Sequence, residues 1–160
     1  MCNFKSGIVL LDEREKGGYR LLMSPWSESH SELERIFKLR EGTRLNFAKV
    51  EFSPETLRTA HRVESYKFKI DEDRTPEWLS PAMQESVIKR MADYIKSIII
   101  TGNAGLLVGG QFIVAPKSSI ECRYAMVVAA LDNSTVKAWD NSTVKALSKT
   151  AKITDNRKEK

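Results

Sequence analysis

The apolar positions at the start of the chain fall into two short runs. These runs, Gly7–Leu11 and Tyr19–Met23, flank a polar stretch that ends in Gly17-Gly18. Two apolar runs around a glycine-rich turn are typical of a β-hairpin. We therefore predict that the chain begins with two antiparallel strands.

Two later segments have the helical spacing of apolar residues. In the first, apolar side chains recur at three- and four-residue steps at Leu33, Ile36, Phe37 and Leu39. Ser31 and Glu34 fit a capping box at its start, and Gly42 fits its end. The second and longest predicted helix covers about residues 81–99 and opens with Ser80-Pro81, a cap followed by proline. One stripe of this helix carries Met83, Val87, Met91, Tyr94, Ile95 and Ile98.

Alternation with a period of two predicts strands elsewhere. Thr43–Phe52 alternates between apolar and polar residues, and Tyr66–Ile70 does so strictly. Between them, Ser53-Pro54 predicts a short helix that ends near His61. Farther along, Leu106–Val108 and Phe112–Ala115 have the composition of strands separated by a tight turn or a bulge.

The clearest feature of the sequence is a repeat of eight residues near the C-terminus. Asp132–Trp139 reads DNSTVKAW and Asp140–Leu147 reads DNSTVKAL, so seven of the eight positions are identical. Steps of eight continue upstream through a β-branched column, Val144, Val136, Val128 and Ile120. A second column holds the small residues Ala146, Ala138, Ala130 and Cys122. Residues two apart on a strand share a face, so both columns are predicted to stack inward, one repeat upon the next.

Two architectures obey this pattern. One is a β-solenoid, in which each repeat adds a strand and a corner, and it is favoured. The other is an antiparallel β-meander with Asp-Asn in its hairpin turns. We predict an α+β module over residues 1–116, with a mixed or antiparallel sheet and two or three helices. A period-eight β-repeat element follows over 117–147, and a basic, frayed tail over 148–160.

A resemblance to a group of known proteins appears at these repeats. DNSTVKAWDNSTVKA resembles the octad "ATV-EAW" repeats of small phage and mobile-element proteins in bacterial genomes. The resemblance is mainly limited to the two clear octads and their degraded upstream copies. It implies a β-repeat architecture and a phage or prophage context, in which accessory proteins that inhibit bacterial defence systems are common. It assigns a role to no residue of this chain.

The amino-acid composition limits the classes of protein to which the chain can belong. The 160 residues are 41% hydrophobic and 29% charged, which excludes collagen-like, disulfide-dense and wholly disordered chains. The chain does not start like a signal peptide, and Ile98–Ile100 is far too short an apolar run to span a bilayer. We therefore expect a cytoplasmic protein that does not contact a membrane.

The charge is concentrated near the C-terminus. The formal net charge is +5, and residues 132–160 hold seven of the basic and four of the acidic residues. This segment therefore carries more than half of the excess positive charge. A basic tail can bind nucleic acid, although it is more often a solvated chain end.

No segment has the spacing of a known catalytic site, and we expect no catalytic residue, no cofactor and no metal ligand. Asp71-Glu72-Asp73-Arg74 is the densest acidic cluster, but it lacks the spacing of a calcium loop, and whether it binds a metal is left open. Glu28, Ser29 and His30 are adjacent, yet neighbours on a helix point in different directions, so no triad is predicted. The glycines of 102–110 follow a helix and precede a strand, which is the reverse of a phosphate-binding loop.

Two kinds of side chain in the repeat attract attention. Cys122 lies in the small-residue column and is predicted to be buried filler. An exposed Trp139 would make a contact point for a protein or a stacking platform for bases. The candidate partner-binding residues are Trp139, Lys137, Lys145, Lys149 and Lys152.

The favoured hypothesis is a non-enzymatic accessory protein of phage or mobile-element type. It would bind a host protein, with a defence nuclease complex such as a CRISPR effector as the expected target. A first alternative is a nucleic-acid-binding protein that uses the basic face of the repeat. A second is an enzyme with an unfamiliar acidic site at Asp71–Arg74. Because an open repeat stack exposes strand edges, we also expect a homodimer or an edge-to-edge assembly.

Overall fold

The computed structural model describes residues 4–39 and 46–156 of the chain. The chain divides into two compact units. The first consists of Met1–Ser53 and Lys67–Tyr94, and the second of Pro54–Tyr66 and Ile95–Lys160. The first unit contains an antiparallel sheet and the second a β-solenoid, so the fold is α+β, as the sequence predicts.

The sheet of the first unit has four strands in the order β2-β1-β3-β4. These strands are β1 (Lys5–Leu11), β2 (Tyr19–Leu22), β3 (Phe47–Pro54) and β4 (Tyr66–Ile70). β1 pairs antiparallel with both β2 and β3, which confirms the predicted hairpin. Its turn places Gly17 and Gly18 at φ of 96° and 78°, a region that glycine adopts without steric cost.

The described residues form two α-helices, α1 (His30–Ile36) and α2 (Pro81–Ile98). α2 begins as predicted, because the Ser80 hydroxyl accepts a hydrogen bond from the Met83 N–H at 3.3 Å. α1 begins earlier than predicted, since the cap is Ser29, whose hydroxyl accepts from the Glu32 N–H. Leu33 is fully buried against the sheet, with Ile8 and Phe47. The predicted stop at Gly42 lies outside the described residues.

The helix predicted after Ser53-Pro54 is wrong. Pro54 is the last residue of β3. Two short 3₁₀ turns follow, at Leu57–Thr59 and Val63–Ser65. The chain therefore changes direction without completing an α-helix.

A buried ion pair connects β1 to the segment that precedes α1. Lys5 Nζ lies 3.2 Å from Glu28 Oε1, and the two side chains are only 1% and 5% exposed. Lys5 also donates to the Ser24 carbonyl at 2.6 Å, and the Ser6 N–H donates to Glu28 Oε2 at 2.9 Å. The ammonium lies 4.9 Å from the ring centre of Tyr94. Burial, with a smaller effect of the Glu28 charge, raises the pKa of Tyr94 to about 12.

The second unit contains a β-solenoid of about four turns, with two strands in each turn. Its strands are β5 (Ile99–Ile100), β6 (Asn103–Val108), β7 (Gln111–Val114), β8 (Ser119–Arg123), β9 (Met126–Ala130), β10 (Thr135–Trp139), β11 (Thr143–Leu147) and β12 (Lys152–Asn156). The odd sheet has the order β11-β9-β7-β5 and the even sheet β12-β10-β8-β6. Neighbours within each sheet are parallel. A meander would make them antiparallel, so the favoured solenoid is confirmed.

The predicted stacking of one octad on the next is wrong. Val136 pairs with Ile120, sixteen residues earlier, and with Ile153 of the following turn. Val144 pairs with Val127 in the other sheet. One octad supplies one strand and one corner, so two octads are needed to complete a turn. Residues in one inward column therefore recur after two octads, and consecutive octads lie in opposite sheets.

Left-handed backbone occurs at two corners of each of the middle turns. Asn133 and Asp140 have φ of 57° and 50°, and their equivalents two octads upstream, Lys117 and Tyr124, have φ of 58° and 50°. Asn and Asp adopt this conformation at lower cost than other L-residues. The left-handed residue is Asn133 in the first octad and Asp140 in the second, so each Asp-Asn pair supplies one such residue.

The solenoid strands extend beyond residues 117–147 on both sides. β5, β6 and β7 lie within the segment that the sequence assigns to the N-terminal module, where Leu107 and Phe112 pack against the core without an octad motif. β12 lies in the segment interpreted as a frayed tail, yet it pairs in parallel with β10 and Ile153 packs against the core. Residues 157–160 lie outside the described part of the chain.

Cys122 is completely buried in the solenoid core, as the sequence predicts. Burial raises the pKa of its thiol, although a hydrogen bond with Ser142 opposes this effect. Because the thiolate is the reactive form, we expect a folded Cys2→Ser variant not to react with a thiol-specific reagent at pH 8. The same variant in urea should react fully within the same time. Rapid, stoichiometric labelling of the folded variant would contradict this prediction.

Candidate protein-binding face of the solenoid

The two solenoid sheets differ in how far their outer faces are exposed. Every residue of β9, in the interior of the odd sheet, is buried, so both faces of this strand are covered. The outward side chains of β6, β8 and β10 in the even sheet are exposed or half-buried. They include Leu106, Val108, Glu121, Arg123, Lys137 and Trp139. We call this surface the Trp139 face.

Trp139 is flanked by two cations on this face. It lies beside Arg123 in the parallel register of β10 and β8. The Arg123 guanidinium is 5.5 Å and Lys137 Nζ is 4.8 Å from the Trp139 ring centre, within the range of cation–π attraction. The indole is half-buried. It is therefore an aromatic group in contact with two cations that still presents surface to solvent.

The cations of the Trp139 face have acidic neighbours. Lys137 Nζ lies 3.6 Å from Glu121 Oε2, and Arg123 Nε lies 3.9 Å from Asp140 Oδ2. All four side chains are between 30% and 46% exposed. Ion pairs this exposed contribute little to stability, so a carboxylate of a partner could compete for either cation.

Exposed apolar side chains border the cations. Leu106 is 52%, Val108 69% and Tyr124 52% exposed. Val108 lies beside Arg123 in the register of β6 and β8, and Tyr124 follows Arg123 at the corner. Aromatic side chains and arginine next to apolar surface form the composition that dominates the energetic centres of protein interfaces.

The five candidate partner-binding residues lie on different surfaces of the solenoid. Lys137 and Trp139 lie on β10, and Lys152 begins β12 in the same sheet. Lys145 lies on β11 in the odd sheet, because the second octad is half a turn away from the first. The repeat therefore does not gather these lysines on one basic face.

Lys149 lies elsewhere, in the corner between β11 and β12. It lines an open cavity of about 620 Å³ in the second unit, together with Leu57, Arg58 and Leu147. Asp132 and short polar side chains complete the lining. Lys149 therefore belongs to a different surface from Trp139.

The acidic loop proposed as an alternative site lies in the first unit. It borders an open cavity of about 340 Å³, lined by residues 69–73. Lys69 Nζ donates to Asp71 Oδ1 at 3.1 Å, and this hydrogen bond holds the pKa of Asp71 below its usual range, although burial acts in the opposite direction. A carboxylate with a lowered pKa is a poor general acid or base near neutral pH.

The adjacent residues Glu28, Ser29 and His30 do not form a triad. Glu28 binds Lys5, and the Ser29 hydroxyl caps α1. His30 instead directs its ring towards Asp71, with 3.4 Å between Nδ1 and Oδ2. The three side chains therefore serve three different contacts.

No protein-family model matches the chain. Searches of curated proteins and of solved structures also found no match. Within residues 4–39 and 46–156, no helix is long and apolar enough to cross a membrane. The resemblance of the octads to phage repeats, the cytoplasmic location and the self-association expected at strand edges all stay predictions.

Sequence reasoning missed Arg123, Leu106 and Val108 as parts of this face. β6 lacks the octad motif and β8 carries only a degraded copy of it, so little in the local sequence marks their outward residues. A signal for Arg123 was nevertheless present, because it stands two octads before Trp139. A period of sixteen would have placed the two side chains next to each other.

Proposed function

We propose that the protein is a non-enzymatic accessory protein of phage or mobile-element type that binds a host protein through the Trp139 face. The observation that carries this proposal is the placement of a half-buried Trp139 between Arg123 and Lys137, beside the exposed Val108. Large aromatic groups and arginine account for most of the binding energy in protein interfaces. The octads add the expectation of a phage context.

The chemistry of the face defines the partner it fits. Leu106, Val108 and Tyr124 offer apolar area, and the two cations next to Trp139 offer charge. The matching surface is an apolar patch bordered by carboxylates. Nucleic acid has less support, because Glu121 and Asp140 lie beside the cations and Lys145 lies in the other sheet.

The narrower form of the proposal is inhibition of a bacterial defence nuclease, such as a CRISPR effector. Its support is the resemblance of the repeats to those of small phage proteins. A stoichiometric inhibitor needs a binding surface and no catalytic residues, which agrees with the Trp139 face. If the captured partner is such a nuclease, equimolar protein should stop its cleavage of target DNA.

The test is a pull-down from a nuclease-treated bacterial lysate with tagged wild-type protein and two matched variants. Lys137→Glu and Lys145→Glu change the same octad position, but on opposite sheets. We expect one host protein at near-equal amounts with the wild type and with Lys145→Glu, and its loss with Lys137→Glu. With the purified partner, Trp139→Ala should weaken binding about 30-fold, as for a central interface residue.

Two results would contradict the proposal. One is equal capture by Lys137→Glu and Lys145→Glu, since this would place the contact away from the Trp139 face. The other is capture that disappears once nucleic acid is digested. Lys137→Glu and Lys145→Glu should keep the circular dichroism spectrum and the unfolding midpoint of the wild type, because both side chains lie at the surface. Trp139→Ala removes a half-buried ring, and it should keep the spectrum of the wild type.

A further inference from the structure

Three side chains that can bind a metal converge in the first unit, away from the Trp139 face. His30 begins α1, Glu51 lies on β3 and Asp71 directly follows β4. One ligand atom from each lies within 4.8 Å of the others. His30 is only 7% exposed, and Glu51 and Asp71 are half-buried. The cluster is therefore mostly enclosed but remains reachable from solvent.

The two ring nitrogens of His30 have different surroundings. Nε2 lies 3.1 Å from the Val50 carbonyl oxygen, which can only accept, so Nε2 carries a hydrogen. Nδ1 lies 3.4 Å from Asp71 Oδ2. In the neutral ring, Nδ1 then directs a lone pair towards a carboxylate, an arrangement that a cation bound between the two atoms would stabilise. Histidines that bind metals generally donate their other N–H to a carbonyl or carboxylate in this way.

We propose that His30 Nδ1, Asp71 Oδ2 and a carboxylate oxygen of Glu51 bind a divalent transition-metal ion, best represented by Zn²⁺. One imidazole and two carboxylates suit Zn²⁺ and its neighbours, whereas Mg²⁺ and Ca²⁺ prefer oxygen ligands alone. Three protein ligands leave a position for water. Lys69 binds the other oxygen of Asp71, Oδ1, so Oδ2 stays directed at His30.

The three ligand atoms need to move only slightly to coordinate a zinc ion. Bonds of about 2.0–2.2 Å to zinc set ligand atoms about 3.0–3.5 Å apart. The His30–Asp71 separation of 3.4 Å already falls in this range, and a rotation of the Glu51 side chain would complete the set. The cavity lined by residues 69–73 provides an entry path beside Asp71.

The test uses the full chain after removal of metals with a chelator. We expect calorimetric titration with Zn²⁺ at neutral pH to show one ion per chain. Zn²⁺ at about 100 times its dissociation constant should raise the melting temperature by about 5–10 °C. His30→Gln and Glu51→Gln should each weaken Zn²⁺ binding at least about tenfold.

Two control variants distinguish Zn²⁺ binding at this site from binding by other side chains that can act as zinc ligands. His61→Gln removes the other histidine and Cys2→Ser removes the cysteine near the N-terminus, and both should bind Zn²⁺ like the wild type. The proposal is overturned if no Zn²⁺ binds, if Glu51→Gln and His30→Gln bind it unchanged, or if Cys2→Ser abolishes binding. Glu51 is only half-buried, so its variant keeps the test decisive if His30→Gln does not fold.

Discussion

Replacing Glu28 with glutamine should lower the free energy of unfolding by about 3–5 kcal/mol. The substitution keeps the shape of the side chain but removes the charge that balances Lys5, whose side chain is 1% exposed. An uncompensated ammonium would then remain in a site without bulk water. Urea unfolding monitored by circular dichroism measures the loss.

The matched control is Glu32→Gln, which breaks the exposed pair of Glu32 with Arg35 on α1. We expect no measurable change in the unfolding midpoint, because water and salt screen this pair. A second variant, Lys5→Met combined with Glu28→Leu, should recover part of the lost stability by removing both charges. A Glu28→Gln protein as stable as the wild type would show that the buried pair contributes nothing.

The second large effect is expected at Val136. Its side chain is completely buried between Ile120 and Ile153 of the neighbouring turns. Val136→Asp would place a carboxylate with no partner in the solenoid core, and the free energy of unfolding should fall by at least about 4 kcal/mol. The change should appear as a much lower urea midpoint or as loss of the β-sheet signal in circular dichroism.

The identical octad supplies the control for this prediction. Val144 stands at the same octad position, but it is half-buried and lies on β11, the last described strand of the odd sheet. In a stack in which each turn contacts only its neighbours, a terminal turn has one interface fewer. Val144→Asp should therefore cost clearly less than Val136→Asp, and equal losses would contradict the assignment of inner and terminal turns.

Local patterns predicted the elements whose signal is contained in a few consecutive residues. The hairpin of β1 and β2 follows from two apolar runs and a glycine turn, and the start of α2 follows from Ser80-Pro81. The cap of α1 shows the limit of such patterns. Ser29 with Glu32 has the same spacing as Ser31 with Glu34, and only the burial of His30 and Leu33 selects the earlier start.

The register of the solenoid could not be obtained from the octads alone. Val136 and Val144 are equivalent in sequence, but whether they stack in one sheet or face each other across the core depends on how many strands complete a turn. That number is set by the packing of both sheets around one core. For this reason the sequence grouped Lys145 with Trp139 and Lys137, although Lys145 lies in the opposite sheet.

The cluster of His30, Glu51 and Asp71 shows why the proposed metal site left no sequence signal. Each residue belongs to a different element, and about twenty positions separate one from the next. No short motif contains two of them. Only the folded first unit brings α1, β3 and the end of β4 close together. The spacing of these residues along the sequence could therefore neither support nor contradict the expectation of no metal ligand.

The alternation of octads between two sheets restricts how the gene can change in length. Duplication of a single octad within the repeat would move every downstream strand to the opposite sheet and turn its outward residues to the other side of the molecule. Duplication of two octads would add one complete turn and leave both outer surfaces in place. A variant of the gene that differs by an odd number of octads would therefore carry a rearranged binding surface.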